Sequence, residues 1–121
     1  MALVMVHFKP GAQTKIETDA SKYVCSGILS QQGEDGKWRP VAYQLKTMQD
    51  AEYNYDIHDK ELLTVVQAIK EWKRYTRGSP RPVQVFTDHK NLVTFMSTKE
   101  LSEQQGRWLE FLSQYNFRII Y

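Results

Sequence analysis

Phe86-Thr87-Asp88-His89-Lys90-Asn91-Leu92 closes an alternating run in which Val83, Val85 and Thr87 take one face and Gln84, Phe86 and Asp88 the other. The pattern predicts a strand that ends at an acid. Upstream, Ile16-Glu17-Thr18-Asp19-Ala20-Ser21 repeats the arrangement, and His58-Asp59-Lys60-Glu61-Leu62-Leu63 sets a third acid near the start of a strongly periodic helix. Carboxylates drawn from three elements can hold a hard divalent cation, and this trio points to one magnesium site.

Outward from these segments, the first strand is expected over Thr14 to Asp19, after a turn at Pro10-Gly11. The second is expected over Tyr23 to Gln31 and the third over Trp38 to Leu45, separated by the turn residues Gly33-Glu34-Asp35-Gly36. These three form an antiparallel meander. A helix capped by Asp56, with acids at its positive end, runs until Gly78-Ser79-Pro80 stops it. After the fourth strand come a short helix over Asn91 to Met96, a helix marked by Trp108, Phe111, Leu112 and Tyr115, and a last strand over Phe117 to Tyr121. The intervening helix lets the fourth strand run parallel to the first, which makes an α/β domain with a mixed sheet. Sites in such sheets gather at the carboxyl ends of strands. Asp19 and Asp88 occupy two such ends, and they are neighbours if strands one and four pair.

On a helical wheel, Val65, Ala68 and Trp72 fall almost above Glu61, with Leu62 and Ile69 on the same broad face. Lys60, Thr64, Gln67, Lys70, Glu71 and Arg74 are expected on the other, solvated side. An acid within an apolar stripe is costly to bury as a charge unless a cation meets it. Each acid also has a plainer reading: an aspartate before Ala-Ser or His-Lys commonly serves a turn or cap, and Glu61 can snorkel from the edge of its face. Glu17 shares a strand face with Asp19 and reads as solvated. His7, His58 and His89 show no zinc spacing, and all-carboxylate ligation favours magnesium or manganese.

A chain of 121 residues is expected to be one domain with one sizeable core. The lone Cys25 excludes an internal disulfide and suits a reducing compartment. The apolar start, Met1 to Val6, meets His7, Lys9 and Pro10 too soon for a signal segment or a membrane span, so an intracellular, cytoplasmic protein is expected. Sixteen Lys and Arg against fourteen Asp and Glu neither require nor forbid a nucleic-acid partner.

Glu17-Thr18-Asp19-Ala20-Ser21, Pro40-Val41-Ala42-Tyr43, Tyr53-Asn54-Tyr55, His58-Asp59-Lys60-Glu61-Leu62-Leu63, Thr87-Asp88-His89-Lys90-Asn91-Leu92 and Arg107-Trp108, in this order and spacing, closely resemble the ribonuclease H domain of gypsy-type LTR-retrotransposon reverse transcriptases. The resemblance covers nearly the whole chain. It implies the ribonuclease H-like fold, a five-stranded mixed sheet with three antiparallel strands and then two parallel ones, flanked by helices. It further implies a single domain over residues 1–121, with 1–13 a linker from a preceding reverse-transcriptase region, in a fragment of a pol polyprotein. The implied activity is metal-dependent endonucleolytic hydrolysis of the RNA strand of RNA-DNA hybrids, with Asp19, Glu61 and Asp88 as catalytic, metal-binding acids. Two Mg2+ ions, with Mn2+ as a substitute, would lie about 4 Å apart with Asp19 between them. Ser21, Lys90 and Asn91 flank the acids and are candidates for contacts to the nucleic-acid backbone. The implied partners are the hybrid and the polymerase domain in cis, inside the virus-like particle of an active element.

The resembled proteins carry a fourth acid on a C-terminal helix that follows the last strand. This sequence reaches Tyr121 without one, and neither Glu103 nor Glu110 is a substitute. A weakened second metal site and a lower rate are expected for this span. The alternative is a non-catalytic module that binds nucleic acid or braces a neighbouring polymerase domain.

Overall fold

The computed structural model describes residues 5–87 and 101–120. Five strands, β1 (Thr14–Ala20), β2 (Val24–Gln32), β3 (Trp38–Thr47), β4 (Val83–Thr87) and β5 (Phe117–Ile120), form one sheet in the order β3-β2-β1-β4-β5. The meander β1-β2-β3 is antiparallel, whereas β4 runs parallel to both β1 and β5. The mixed topology read from the sequence is therefore the one observed.

The turn between β2 and β3 is shaped by Gly36, whose φ of 79° lies in the left-handed region open to glycine. Asp35 stabilises the same turn, accepting from the Lys37 amide and from the Arg39 guanidinium. Opposite the step from Leu29 to Ser30, the register shifts by one residue of β3, so Val41 enters the core beside the pairs Leu29–Ala42 and Ser30–Pro40.

Helix α1 (Ile57–Glu71) crosses over between β3 and β4. Its N-cap is Asp56, whose Oδ1 accepts from the Asp59 amide at 2.8 Å. Ile16, Leu29, Val83 and Val85 of the sheet and Leu62, Val65, Val66 and Ile69 of the helix are buried against one another. Each such side chain contributes roughly 1.5–3 kcal/mol on burial. Helix α3 (Glu103–Leu112) packs beside α1, led by a capping box of Ser102 and Gln105. The start of α3 is tied to the start of α1 by Gln105, which donates to Asp59 Oδ1 at 2.7 Å, and by Gln104, which donates to the Tyr55 hydroxyl at 2.9 Å.

Three features differ from the sequence reading. Lys60, Thr64 and Gln67 are buried rather than solvated, because the sheet, α3 and the turn before α1 enclose residues 60–69 on all sides. The helix breaks at Trp72 (φ −109°, ψ 27°) and resumes as the single turn α2 (Lys73–Thr76) before Gly78 (φ 71°) ends it. A 3-10 helix occupies Asp50–Asn54, with the Glu52 carboxylate accepting from the Gln49 amide at 2.7 Å. The expected helix over Asn91 to Met96 lies outside the described residues.

The expected linker stretch lies along the sheet end in its described part. The Val6 amide donates to the Pro40 carbonyl, and Lys9 exchanges backbone-to-side-chain hydrogen bonds with Gln31. Val6 and Phe8 pack against the main core.

Candidate active site

The parallel pairing of β1 and β4 sets Ile16 beside Val85 and Thr18 beside Thr87, which aligns the carboxyl ends of the two strands. Thr18 and Thr87 face the helix and are buried; the Thr18 hydroxyl donates to the Phe86 carbonyl at 3.1 Å. Asp19, one residue beyond Thr18, is exposed on the opposite face. Its carbonyl accepts from the Ser26 hydroxyl at 3.2 Å, which fixes the β1 end against β2.

Glu61 enters from α1, one turn past the Asp56 cap, and is only 2% exposed. The Thr87 hydroxyl donates to Glu61 Oε2 at 3.3 Å. Helix and strand end are thereby joined at the carboxylate. Lys60 supports the same corner: its Nζ donates to the Lys22 carbonyl at 3.2 Å, tethering the turn after β1 to the start of α1.

An open cavity of about 480 Å³ wraps the strand ends and is lined by Glu17, Thr18, Asp19, Ser26, Phe86 and Thr87, with Ile28 at its side. Thr87 thus borders the cavity on one side and holds Glu61 on the other. Glu17 lies in the same cavity, with the Lys15 ammonium 3.7 Å from its carboxylate at a largely exposed position. Beneath the site, burial pushes the Cys25 thiol up, opposed by a hydrogen bond with Thr64 and reinforced by the negative charges of Glu52 and Glu61.

Of the residues singled out in the sequence, Asp19 therefore lies at the end of β1 on the face away from α1, and Glu61 lies on the helix side of the same sheet end, bonded to Thr87. Ser21 lies in the β1–β2 turn, where its hydroxyl donates to the Val24 carbonyl and accepts from the Val24 amide, closing the turn. Asp88, Lys90 and Asn91 lie outside the described residues. Among the described residues, no three His, Cys, Asp or Glu side chains gather as a metal site. Sequence reasoning passed over Thr87 and Lys60. The alternation Val83, Val85, Thr87 already placed the threonine on the helix face, but a lysine on the side of the wheel away from the apolar stripe carries no such signal.

A five-stranded mixed sheet in this order, with β1 and β4 parallel and adjacent at its centre, defines a ribonuclease H-like fold. Solved structures agree. The prototype foamy virus protease-reverse transcriptase superposes with a TM-score of 0.76 over 97% of this chain and 16% of that one, at 15% identity. RNase H1 from the halophilic archaeon Halobacterium salinarum superposes with a TM-score of 0.59 over 90% of this chain and 83% of that one, at 11% identity.

Residues 9–115 match the family described as the RNase H-like domain found in reverse transcriptase, and the chain belongs to that family. It is 35% identical over 120 residues, 98% of its length, to the Transposon Tf2-3 polyprotein of Schizosaccharomyces pombe, of which it spans 9%. Tf2 elements are of the gypsy type, in agreement with the motifs. No helix among the described residues is long and apolar enough to cross a membrane.

Proposed function

We propose that this domain hydrolyses the RNA strand of RNA-DNA hybrids during reverse transcription, with Asp19, Glu61 and Asp88 as its metal-binding acids. The observation that supports the reading is that exposed Asp19 and buried Glu61 lie at the same end of the sheet, with Glu61 held by Thr87. The donor set fits hard cations: carboxylate oxygens beside neutral threonine hydroxyls, with no thiol or imidazole required. Magnesium, when bound, would supply Lewis-acid activation of water and of the phosphodiester.

The chain's own residues do the positioning. Asp19 offers its carboxylate at the cavity, where a phosphodiester backbone can approach the open end of the sheet. Glu61 presents a carboxylate whose orientation is set by helix, strand and hydroxyl together, so little reorganisation is needed when a cation arrives. RNA is selected through 2′-hydroxyl and backbone contacts along the wide minor groove, without base reading. The foamy viral protease-reverse transcriptase has been solved in complex with RNA/DNA hybrid, and its corresponding region has this fold. Residues before β1 would connect the domain to a polymerase, in keeping with the polyprotein context of the relatives.

The test is cleavage of an end-labelled RNA-DNA hybrid in magnesium and in manganese by the parent chain and by Asp19→Asn, Glu61→Gln and Asp88→Asn. Metal-dependent cleavage that each substitution abolishes is the expected result. Substituted chains as active as the parent would refute the acid assignment. Hybrid binding without turnover, persisting after the sequence downstream of Tyr121 in its parent gene is added, would make the domain a non-catalytic binding module.

A further inference from the structure

Charge in this chain is distributed more unevenly than its near balance suggests. Residues 70–81 hold five of the sixteen basic side chains, Lys70, Lys73, Arg74, Arg77 and Arg81, and one of the fourteen acidic ones, Glu71. The remainder is left slightly acidic, eleven against thirteen. All five basic residues are exposed, and none of the three ion pairs seen among the described residues involves them. This segment connects the end of α1 to the start of β4, so it lies at the opposite end of the sheet from Asp19 and Thr87.

Two of its guanidinium groups are held in place. Arg74 lies over the Tyr75 ring, 4.8 Å from the centroid, and its Nη2 donates to the Tyr75 hydroxyl at 3.0 Å. Tyr75 is in turn stacked on Phe8 at 4.4 Å. Arg77 lies over Tyr115 at 5.9 Å. Between Arg74, Arg77 and the entering segment is a cavity of about 150 Å³, whose rim includes Gly11, Thr14 and Ser79. A planar guanidinium already seated on a ring loses little freedom when it grips a phosphate in bidentate fashion. Tyr75 is already engaged by Phe8 and Arg74, and Tyr115 is buried, so phosphate rather than a base is the group this pole suits.

We infer that this pole is a second nucleic-acid contact, at which Arg74 and Arg77 bind the phosphate backbone of the strand running beyond the segment being cleaved. The inference rests on the proposed hybrid substrate. The seven residues of β1 span about 23 Å, less than one turn of duplex at ~34 Å, so a single hybrid can touch both ends of the domain. Affinity then comes from the pole and chemistry from the acids.

The experiment is the salt dependence of binding of a 24-base-pair RNA-DNA hybrid, without divalent cation, by the full chain, its R74Q/R77Q variant and its R74K/R77K variant. Thermal melts confirm that the variants are folded. Losing two phosphate contacts is expected to flatten the log-log salt slope by about two and to weaken binding at least tenfold at low salt. The lysine pair, which keeps the charge, should keep the slope. A glutamine variant with the parent's slope overturns the inference and leaves the proposed function standing. A parent that does not bind hybrid at all overturns both. Polyglutamate of matched charge bound as tightly as the hybrid, and lost in the glutamine variant, would assign the pole to an acidic protein partner instead.

Discussion

Thr87 and Glu61 meet through a hydroxyl-to-carboxylate hydrogen bond of 3.3 Å, in a pocket where both side chains are buried. The last residue of a strand thus fixes the direction of an acid on the helix packed across it. Alternation along β4 demands that residue 87 face the helix, and a threonine there both fills the position and donates.

Replacing Thr87 by Val keeps the shape and removes the donor. The expected cost is about 1.5–3 kcal/mol in urea unfolding, the scale for a buried hydrogen bond to a charged group. Metal-dependent cleavage should fall roughly 10- to 100-fold, as for lost partners of ligand side chains. Thr87→Ser, which restores the hydroxyl, should recover most of the activity. Equal loss in the Val and Ser variants would show that the hydroxyl does not orient Glu61.

Gly27 faces the helix from the centre of β2. A Cβ there would lie 3.3 Å from Trp72 Cη2 and 3.4 Å from Cζ3, with the Ala68 Cβ at 3.7 Å. Gly27→Ala should destabilise the domain by about 1–3 kcal/mol through overpacking. Trp72→Phe in the same chain should cost less than it does in the parent, because it vacates the contested space. A double-mutant cycle by chemical unfolding measures this coupling, and simple additivity would exclude the clash.

Asp35 is exposed, yet hydrogen bonds from the Arg39 guanidinium and the Lys37 amide lower its pKa from 3.8 to about 2. Because the folded value is depressed, the interaction contributes fully above about pH 4 and is lost as the pH falls towards 2. Side-chain carboxyl shifts in NMR should titrate near that lower value, and Arg39→Gln should bring them back towards 3.8. Melting temperature should hardly respond, since a solvated pair contributes little.

Cys25 behaves oppositely. Burial chiefly raises its pKa above 9.0, so its contribution to stability is complete below that pH and is lost as the pH rises further. Cys25→Ala should flatten the decline of stability in alkaline solution. Thiol reagents should label the native chain slowly and the unfolded chain at once. Rapid labelling of the native chain would contradict this burial.

Most of the sheet was legible because its signals are local. Alternation marked β1 and β4, glycines marked the β2–β3 turn, and Asp56 marked the start of α1. The tertiary features were not local. Lys60, Thr64 and Gln67 looked solvated on a wheel because nothing in their own segment announces α3 or the turn that covers them. The break at Trp72 has no glycine or proline to signal it; it coincides with an indole drawn into the core against Gly27. The 3-10 helix at Asp50–Asn54 was missed because Gln49 is an unusual cap, whereas Ser102-Glu103-Gln104-Gln105 is a capping-box signature that could have placed the start of α3. At the candidate site, the positions of Asp19 and Glu61 followed from pattern and resemblance. The role of Thr87 required the register of two strands distant in sequence.

That register also dictates a history. Residues 15–18 pair with residues 84–87, while β1, β2 and β3 pair with their sequence neighbours. As the chain is synthesised, the meander can form early, but the strand that braces Glu61 arrives only after α1 is complete. Glu61 therefore exists for a time on a folded part that lacks its Thr87 brace, and the competence proposed for the site is acquired late, with closure of the sheet.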